Sequence, residues 1–248
     1  KAQSDVFLTA LGFGMGNYQD DTLEQLANKG NGHHGYIDSV REARRLLVEQ
    51  VEGTLNTVAR DVKIQVEFNP AQVAAYRLIG YDNRRLAPEE FNNDTIDAGE
   101  IGAGHTVTAL YEVIPAGERV NEPTGVDVDA LRYQALPETG KTHRSDHVAS
   151  AEMLTVKLRA QPPAGGESRK WEFYLTDEGR AFEDATPDFK FASAVAGFGL
   201  VLRDHPSVAS SSLAQVEGWA RSGITDDPGE YRAEFVELVG RANGLITQ

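Results

Sequence analysis

Residues 97–115 read DAGEIGAGHTVTALYEVIP, and this stretch decides how the rest of the chain is read. Its second half alternates. His105, Val107, Ala109, Tyr111 and Val113 fall on one face of an extended strand, and Thr106, Thr108, Leu110, Glu112 and Ile114 fall on the other. Gly99, Gly102 and Gly104 come just before, so a turned, glycine-rich entry into a core strand is expected. The same residues imitate a phosphate-binding loop. The run from Gly99 through Gly104, His105 and Thr106 nearly matches G-x-x-x-x-G-K-[ST]. Two features oppose that reading. His105 replaces the lysine that reaches the phosphates, and a strand follows where a helix N-terminus should hold the anion.

On either side of this stretch the same period of two recurs. Val62, Ile64, Val66 and Phe68 alternate with Lys63, Gln65 and Glu67, which predicts a half-exposed antiparallel strand. Residues 76–81 predict another. Leu154, Val156, Leu158 and Ala160 alternate as well, the PPAGG turn at 162–166 follows, and Trp171, Phe173 and Leu175 alternate beyond it. About five antiparallel strands point to a β-sandwich. Residues 82–97 and 116–150 are polar and rich in turn formers, and read as loops.

The chain begins differently. Residues 6–11, VFLTAL, form a continuous apolar run ending in Gly12, Gly14 and Gly16, the pattern of a parallel strand buried on both faces. A helix follows, with Asp21 as its cap, Glu24 completing a capping box and Gly30 as its stop. A strand near 34–37 comes next, and then a helix capped by Ser39 with Glu42 three residues on. This β-α-β-α order implies a parallel, doubly wound sheet of which only two strands are present. The end of the chain is helical. Thr186 and Pro187 open one helix, lined by Phe191, Val195, Phe198 and Leu202. Leu213, Val216 and Trp219 mark a second. Asp227, Pro228 and Glu230 open a third, with Tyr231, Phe235, Leu238 and Val239 inward.

Charge and composition restrict the function. The 248 residues carry 24 basic and 38 acidic side chains, a net charge of −14, so the long-range field repels phosphates and anionic membranes. With no cysteine, disulfides, thiolate zinc sites and cysteine nucleophiles are excluded. No apolar run reaches membrane-spanning length, and residues 191–202 come nearest. The chain opens a few residues before an apolar strand, without a signal peptide, which is the expectation for a fragment whose start lies upstream.

Three further motifs carry candidate chemistry. Gly12, Gly14 and Gly16 resemble a dinucleotide fingerprint after a strand, with Asp38 ending the next strand, but Asn17 stands where the third glycine belongs. His143 and His147, with Asp146 between them, have zinc-helix spacing in a segment with no helical stripe, so solvated histidines are expected. Asn92, Asp94 and Asp97 offer oxygens to calcium, but Ile96 occupies a ligand position and no glutamate completes the loop.

Residues 8–55, LTALGFGMGNYQDDTLEQLANKGNGHHGYIDSVREARRLLVEQVEGTL, resemble the end of a von Willebrand factor type A (VWA) domain. ARDVKIQVEFNP, YRLIGYDNR, DAGEIGAGHTVTALYEVIP and GEYRAEFVELVGRA are similar to the uncharacterised C-terminal domain that follows it in YfbK-like bacterial proteins. The resemblance implies an α+β chain: residues 1–55 as the incomplete C-terminal part of a doubly wound VWA sheet, and residues 56–248 as an antiparallel β-sandwich-like domain whose helical segment spans about 186–248. It implies adhesion or assembly rather than catalysis, a protein partner, and an envelope or periplasmic location, with the cytoplasm as the alternative. The Mg²⁺ site of VWA domains uses an Asp-x-Ser-x-Ser loop and two further loops, all preceding residue 6 in the alignment this implies. No catalytic residue, cofactor or metal ligand is therefore assigned in this chain. The loop holding Gly14, Asn17, Tyr18, Asp20 and Asp21 is expected on the ligand edge of the sheet, and the strand at 6–11 is expected to leave an edge that invites homodimerisation. The competing expectation is a nucleotide- or dinucleotide-binding enzyme using residues 12–16 or 99–104.

Overall fold

A computed structural model describes residues 8–14, 19–30, 32–50, 53, 56–81, 85–96, 98–118, 150–205 and 212–246. The chain divides into two compact units, one of Lys1–Glu67, Arg85–Val107 and Leu154–Leu175, the other of Phe68–Arg84, Thr108–Met153 and Thr176–Gln248. The fold is α+β with antiparallel sheets.

The first unit begins with the expected parallel pair. Strand β1 (Ala10–Phe13) pairs in parallel with β2 (His34–Ile37), from Ala10 opposite His34 to Phe13 opposite Ile37. Helix α1 (Asp20–Lys29) joins them. Its cap differs from expectation: Gln19 holds the cap position without a side-chain bond, and Asp21 lies inside the first turn beside Asp20. Both carboxylates face the positive end of the helix dipole. Gly30 ends the helix as expected, its N–H donating to the carbonyls of Leu26 and Ala27. Helix α2 (Val40–Arg44) is capped by Ser39, whose hydroxyl accepts from Glu42 N, and it continues as a π-helical stretch over Arg45–Glu49. Of the strand expected at 6–11, residues 6 and 7 lie outside the described residues, and the rest is corrected. Leu8 and Thr9 precede the strand, and the ladder begins where Ala10 N donates to the His33 carbonyl. Nor is the strand buried on both faces. Phe13 is 67% exposed, because β1 has a single strand neighbour among the described residues.

A four-stranded sheet follows in the order β5-β3-β7-β8, made of β3 (Thr57–Phe68), β5 (Gly99–Gly102), β7 (Glu152–Gln161) and β8 (Arg169–Thr176). β7 and β8 form a hairpin through the PPAGG turn, where Gly165 N donates to the Pro162 carbonyl and Gly165 and Gly166 take φ of +81° and +116°. The parity expected of β3 holds at buried Phe68 and is corrected at Lys63, which is buried, and Ile64, which is 45% exposed. The cause is a bulged strand. Asp61 sits at φ +49°, and the register against β5 slips twice, between Thr57 and Ala59 and between Ala59 and Val62. A bulge re-aims the side chains that follow it.

The opening stretch is also corrected. Gly99–Gly102 form strand β5, antiparallel to β3, where a turn was expected. Residues 105–109, read as strand, lie outside any ladder and are exposed. The second unit shows why. Strand β6 (Leu110–Pro115) pairs antiparallel with β4 (Val73–Ile79), and that partner ends at Ile79. Gly80 and Tyr81 then turn with φ of +76° and +59°, and among the described residues no strand pairs with residues 105–109. The Tyr81 hydroxyl donates to the Thr108 carbonyl at 2.8 Å instead. Tyr76 and Tyr111 cross the hairpin onto buried Phe68, with ring centroids 4.2 and 5.3 Å from it.

The second unit ends in three helices: α3 (Pro187–Leu202), α4 (Leu213–Ser222) and α5 (Tyr231–Ile246). Thr186 caps α3 by accepting from Phe189 N, and Ser212 caps α4 by accepting from Gln215 N. Ala194, Leu213, Val216, Ala220, Val236 and Val239 form the buried core, with Phe198, Val201, Trp219 and Phe235 packed against it. Each fully buried valine or leucine contributes about 1.5–3 kcal/mol relative to exposure. Two helix faces differ from expectation: on α3 the inward positions are Ala194, Gly197, Phe198 and Val201, while Val195 and Leu202 are exposed; on α5 Val236 replaces Leu238. Small residues explain the first case. A Cβ on Gly197 would stand 3.3 Å from Val216 Cγ2 and 3.5 Å from the Trp219 ring, so the helices approach at the glycine. Arg232 of α5 clamps the bundle, donating to the Gly223 carbonyl at 2.6 Å, pairing with Asp188 and lying 5.0 Å over the Phe191 ring.

Candidate functional site

The loop expected on the ligand edge is described in part. Asn17 and Tyr18 lie outside the described residues. Gly14 takes φ +85°, a region that favours glycine, and its carbonyl accepts from the Tyr36 hydroxyl at 2.5 Å. Asp20 and Asp21 are exposed, and an Asp20 carboxylate oxygen lies 3.8 Å from His34 Nε2. The described geometry therefore ties Gly14 and Asp20 to side chains of β2.

The glycine-rich stretch at 99–104 has a structural role. A Cβ on Gly102 would lie 1.5 Å from the Gly53 carbonyl oxygen, a backbone approach only glycine permits. Gly104 turns at φ +74°, and His105 stacks on His33 with ring centroids 5.9 Å apart. These residues lead from a strand into non-helical backbone, so they lack the helix N-terminus that a phosphate loop uses. Of the other motifs, His143, Asp146, His147 and Asp97 lie outside the described residues. Among the described residues no group of three or more histidines or carboxylates is placed to hold a metal ion.

A polar cluster gathers around Asp94, one of the residues expected to offer oxygens to calcium. Residues 85–96 are pinned to the sheet of the first unit. Lys63, 2% exposed, donates from Nζ to the Asn93 carbonyl at 2.5 Å. Arg159 donates to the Phe91 carbonyl at 3.1 Å and to Asp94 Oδ2 at 2.9 Å. Ser168 donates to Asp94 Oδ1 at 2.5 Å. The Ser168 hydrogen bond, with the charges of Arg159 and Lys63, holds the Asp94 carboxyl below the ordinary aspartate range. Both carboxylate oxygens are engaged, so the cluster fastens a loop; a general base needs a free lone pair aimed at substrate. Periodicity could not reveal it, because Lys63 reads as the solvent side of an alternating strand.

In the second unit, Arg77 of β4 joins three elements. It pairs with Glu112 of β6 at 2.5 Å, and its Nη1 lies 2.6 Å from His205 Nε2, just beyond α3.

The fold and these clusters define an α+β protein. Residues 53–245 match the model of the family described as "Uncharacterized protein YfbK, C-terminal". The chain is 38% identical over 243 residues to a protein of Escherichia coli (strain K12) named "Uncharacterized protein YfbK", covering 98% of this chain and 40% of that protein's length. The chain belongs to the YfbK C-terminal family. No solved structure matches it.

Proposed function

We propose that this chain is a non-enzymatic protein-interaction or assembly module. Residues 1–55 are read as the end of a VWA domain, and residues 56–248 as a β-sandwich-like domain carrying a helical segment. The observation that carries the proposal is the use of Gly99–Gly102 as a strand, with Gly102 against the Gly53 backbone and no helix after it. That supports a scaffold role over the phosphate-loop enzyme. The parallel β1-α1-β2 unit supports the VWA reading, because such a unit is the building block of a doubly wound sheet. In a complete VWA protein, Mg²⁺ would be held by the Asp-x-Ser-x-Ser loop; the described residues here offer no converging donor set, so no step is routed through the metal. An envelope or periplasmic location is part of the proposal. Among the described residues no helix is long and apolar enough to cross a membrane.

Thermal shift with NAD, FAD and ATP tests the reading. Ligand at ~100 times its dissociation constant stabilises by about 2.7 kcal/mol, which for a chain of this size moves Tm by roughly 5–10 °C. No shift with any of the three is expected. A shift of that size with one of them overturns the module reading in favour of the nucleotide-binding enzyme.

A further inference from the structure

Strand β8 is the outer strand of its sheet. Among the described residues its one strand neighbour is β7, and all eight of its residues are exposed. Trp171, Phe173 and Leu175 share a face, at 45%, 54% and 53% exposure. Lys170, Glu172 and Tyr174 share the other. There Lys170 Nζ lies 2.7 Å from Glu172 Oε1, and the Tyr174 hydroxyl donates to Glu172 at 3.1 Å. A bare strand edge is a template for pairing, and proteins commonly protect it with charge. Here the protective charges are arranged so that a second copy cancels them.

We propose that β8 pairs edge to edge with β8 of a second copy, antiparallel about a two-fold axis through Trp171. In that register each Lys170 faces Glu172 of the other copy, each Arg169 faces Phe173 of the other copy, and the two Trp171 side chains meet. Every pair on the ladder is complementary: two ion pairs, two cation–aromatic pairs and one aromatic pair. An axis through Glu172 would set the two Glu172 carboxylates against each other. An axis through Phe173 would leave Lys170 opposite Thr176 and Glu172 opposite Tyr174, with Arg169 meeting only Asp177 beyond the strand's end. Glu172 is held ionised by its hydrogen bonds to Lys170 and then Tyr174, so its charge is available at neutral pH. The pairing extends a four-stranded sheet across two copies and closes by symmetry. β8 is the better edge for this than β1, which has four residues to its eight. The proposal deepens the module reading by naming a partner, and its test is separate from the ligand shifts that decide that reading.

Sedimentation equilibrium of the 248-residue chain is the test, run with Lys170→Glu, Glu172→Lys and the double exchange. The short ladder places the interface at the small, weak end of the range, with a dissociation constant on the order of 10 μM. Each single reversal sets like charges opposite one another twice and weakens the dimer by about 10-fold or more. The double exchange restores it. Mixing the two single variants yields a heterodimer, since at positions 170 and 172 two carboxylates of one copy then face two ammonium groups of the other. Circular dichroism checks that each variant folds, and where one does not, the double exchange alone decides. A wild-type chain that stays monomeric at roughly ten times that constant overturns the proposal, as does a dimer that both reversals leave unchanged.

Discussion

Gly102 shows how a motif residue is claimed by packing. Its place among three glycines imitated a phosphate loop, yet the space for its side chain is filled by the Gly53 carbonyl oxygen, 1.5 Å from an added Cβ. That obstacle is backbone and cannot rotate away. Gly102→Ala should cost about 1–3 kcal/mol in urea unfolding, whereas Gly99→Ala, which meets nothing within 4 Å, should cost less than 1. Equal costs at the two positions would refute the packing account. Asp94 gives a second residue-level prediction, with a definite sign. Ser168 first, then Arg159, depresses its folded value below the unfolded value of about 3.9. The stabilisation is therefore complete above pH ~4 and is lost as pH falls through the folded value. The difference in urea midpoint between the wild type and Asp94→Asn should be present at pH 7 and shrink at pH 3. A difference that grows on acidification would reverse the assignment.

At the scale of elements, what was legible was whatever rests on local chemistry. Ser39 and Thr186 cap helices because an oxygen three residues before an orphan N–H satisfies it wherever the helix packs. The strand pairing β1 to β2 follows from a continuous apolar run with a helix after it. Apart from the cap expected at Asp21, whose place Gln19 takes, what failed depended on distant partners. The alternation of residues 105–109 was real, but β4 ends at Ile79 and, among the described residues, no strand pairs with them. The sides of Lys63 and Ile64 in β3 were exchanged beside a bulge at Asp61, whose carboxylate accepts from Ala98 N, a contact no local period encodes. The join at Arg77 is of the same kind, linking β4 to Glu112 and His205 across 35 and 128 residues of sequence. Arg77→Ala removes both links and should lower stability by about 1–3 kcal/mol. Hydrogen exchange should show the loss first at the C-terminal end of α3, where His205 follows. Unchanged protection there would mean that the helix end is held by other contacts.

Over the whole molecule, the family was legible because it rests on long segments, whereas the polar cluster at Lys63, Asp94, Arg159 and Ser168 was not, because its members lie far apart and Asp94, the one residue of it that a motif singled out, reads as a calcium donor. Net charge is the whole-molecule property that acts on the proposed pairing. Each copy carries −14, so two copies repel. With centres on the order of 40 Å apart, the screened repulsion is about 5 kcal/mol at 0.01 M salt and a few tenths at 0.15 M, as the Debye length shortens from about 30 to about 8 Å. The cross-strand Lys170–Glu172 pairs contribute only ~0.2–1 kcal/mol each, and salt screens them too. Repulsion therefore controls the low-salt regime and the local pairs control the high-salt regime. Self-association measured by sedimentation should tighten at least 100-fold between about 0.01 and 0.15 M salt, then loosen slightly toward 1 M. Removing both charges, as Lys170→Gln with Glu172→Gln, should leave the first change intact and abolish the second. A dimer that weakens steadily with salt from the lowest concentration would mean that local attraction outweighs the field of the whole chain, and the interface would have to hold far more ion pairs than β8 supplies.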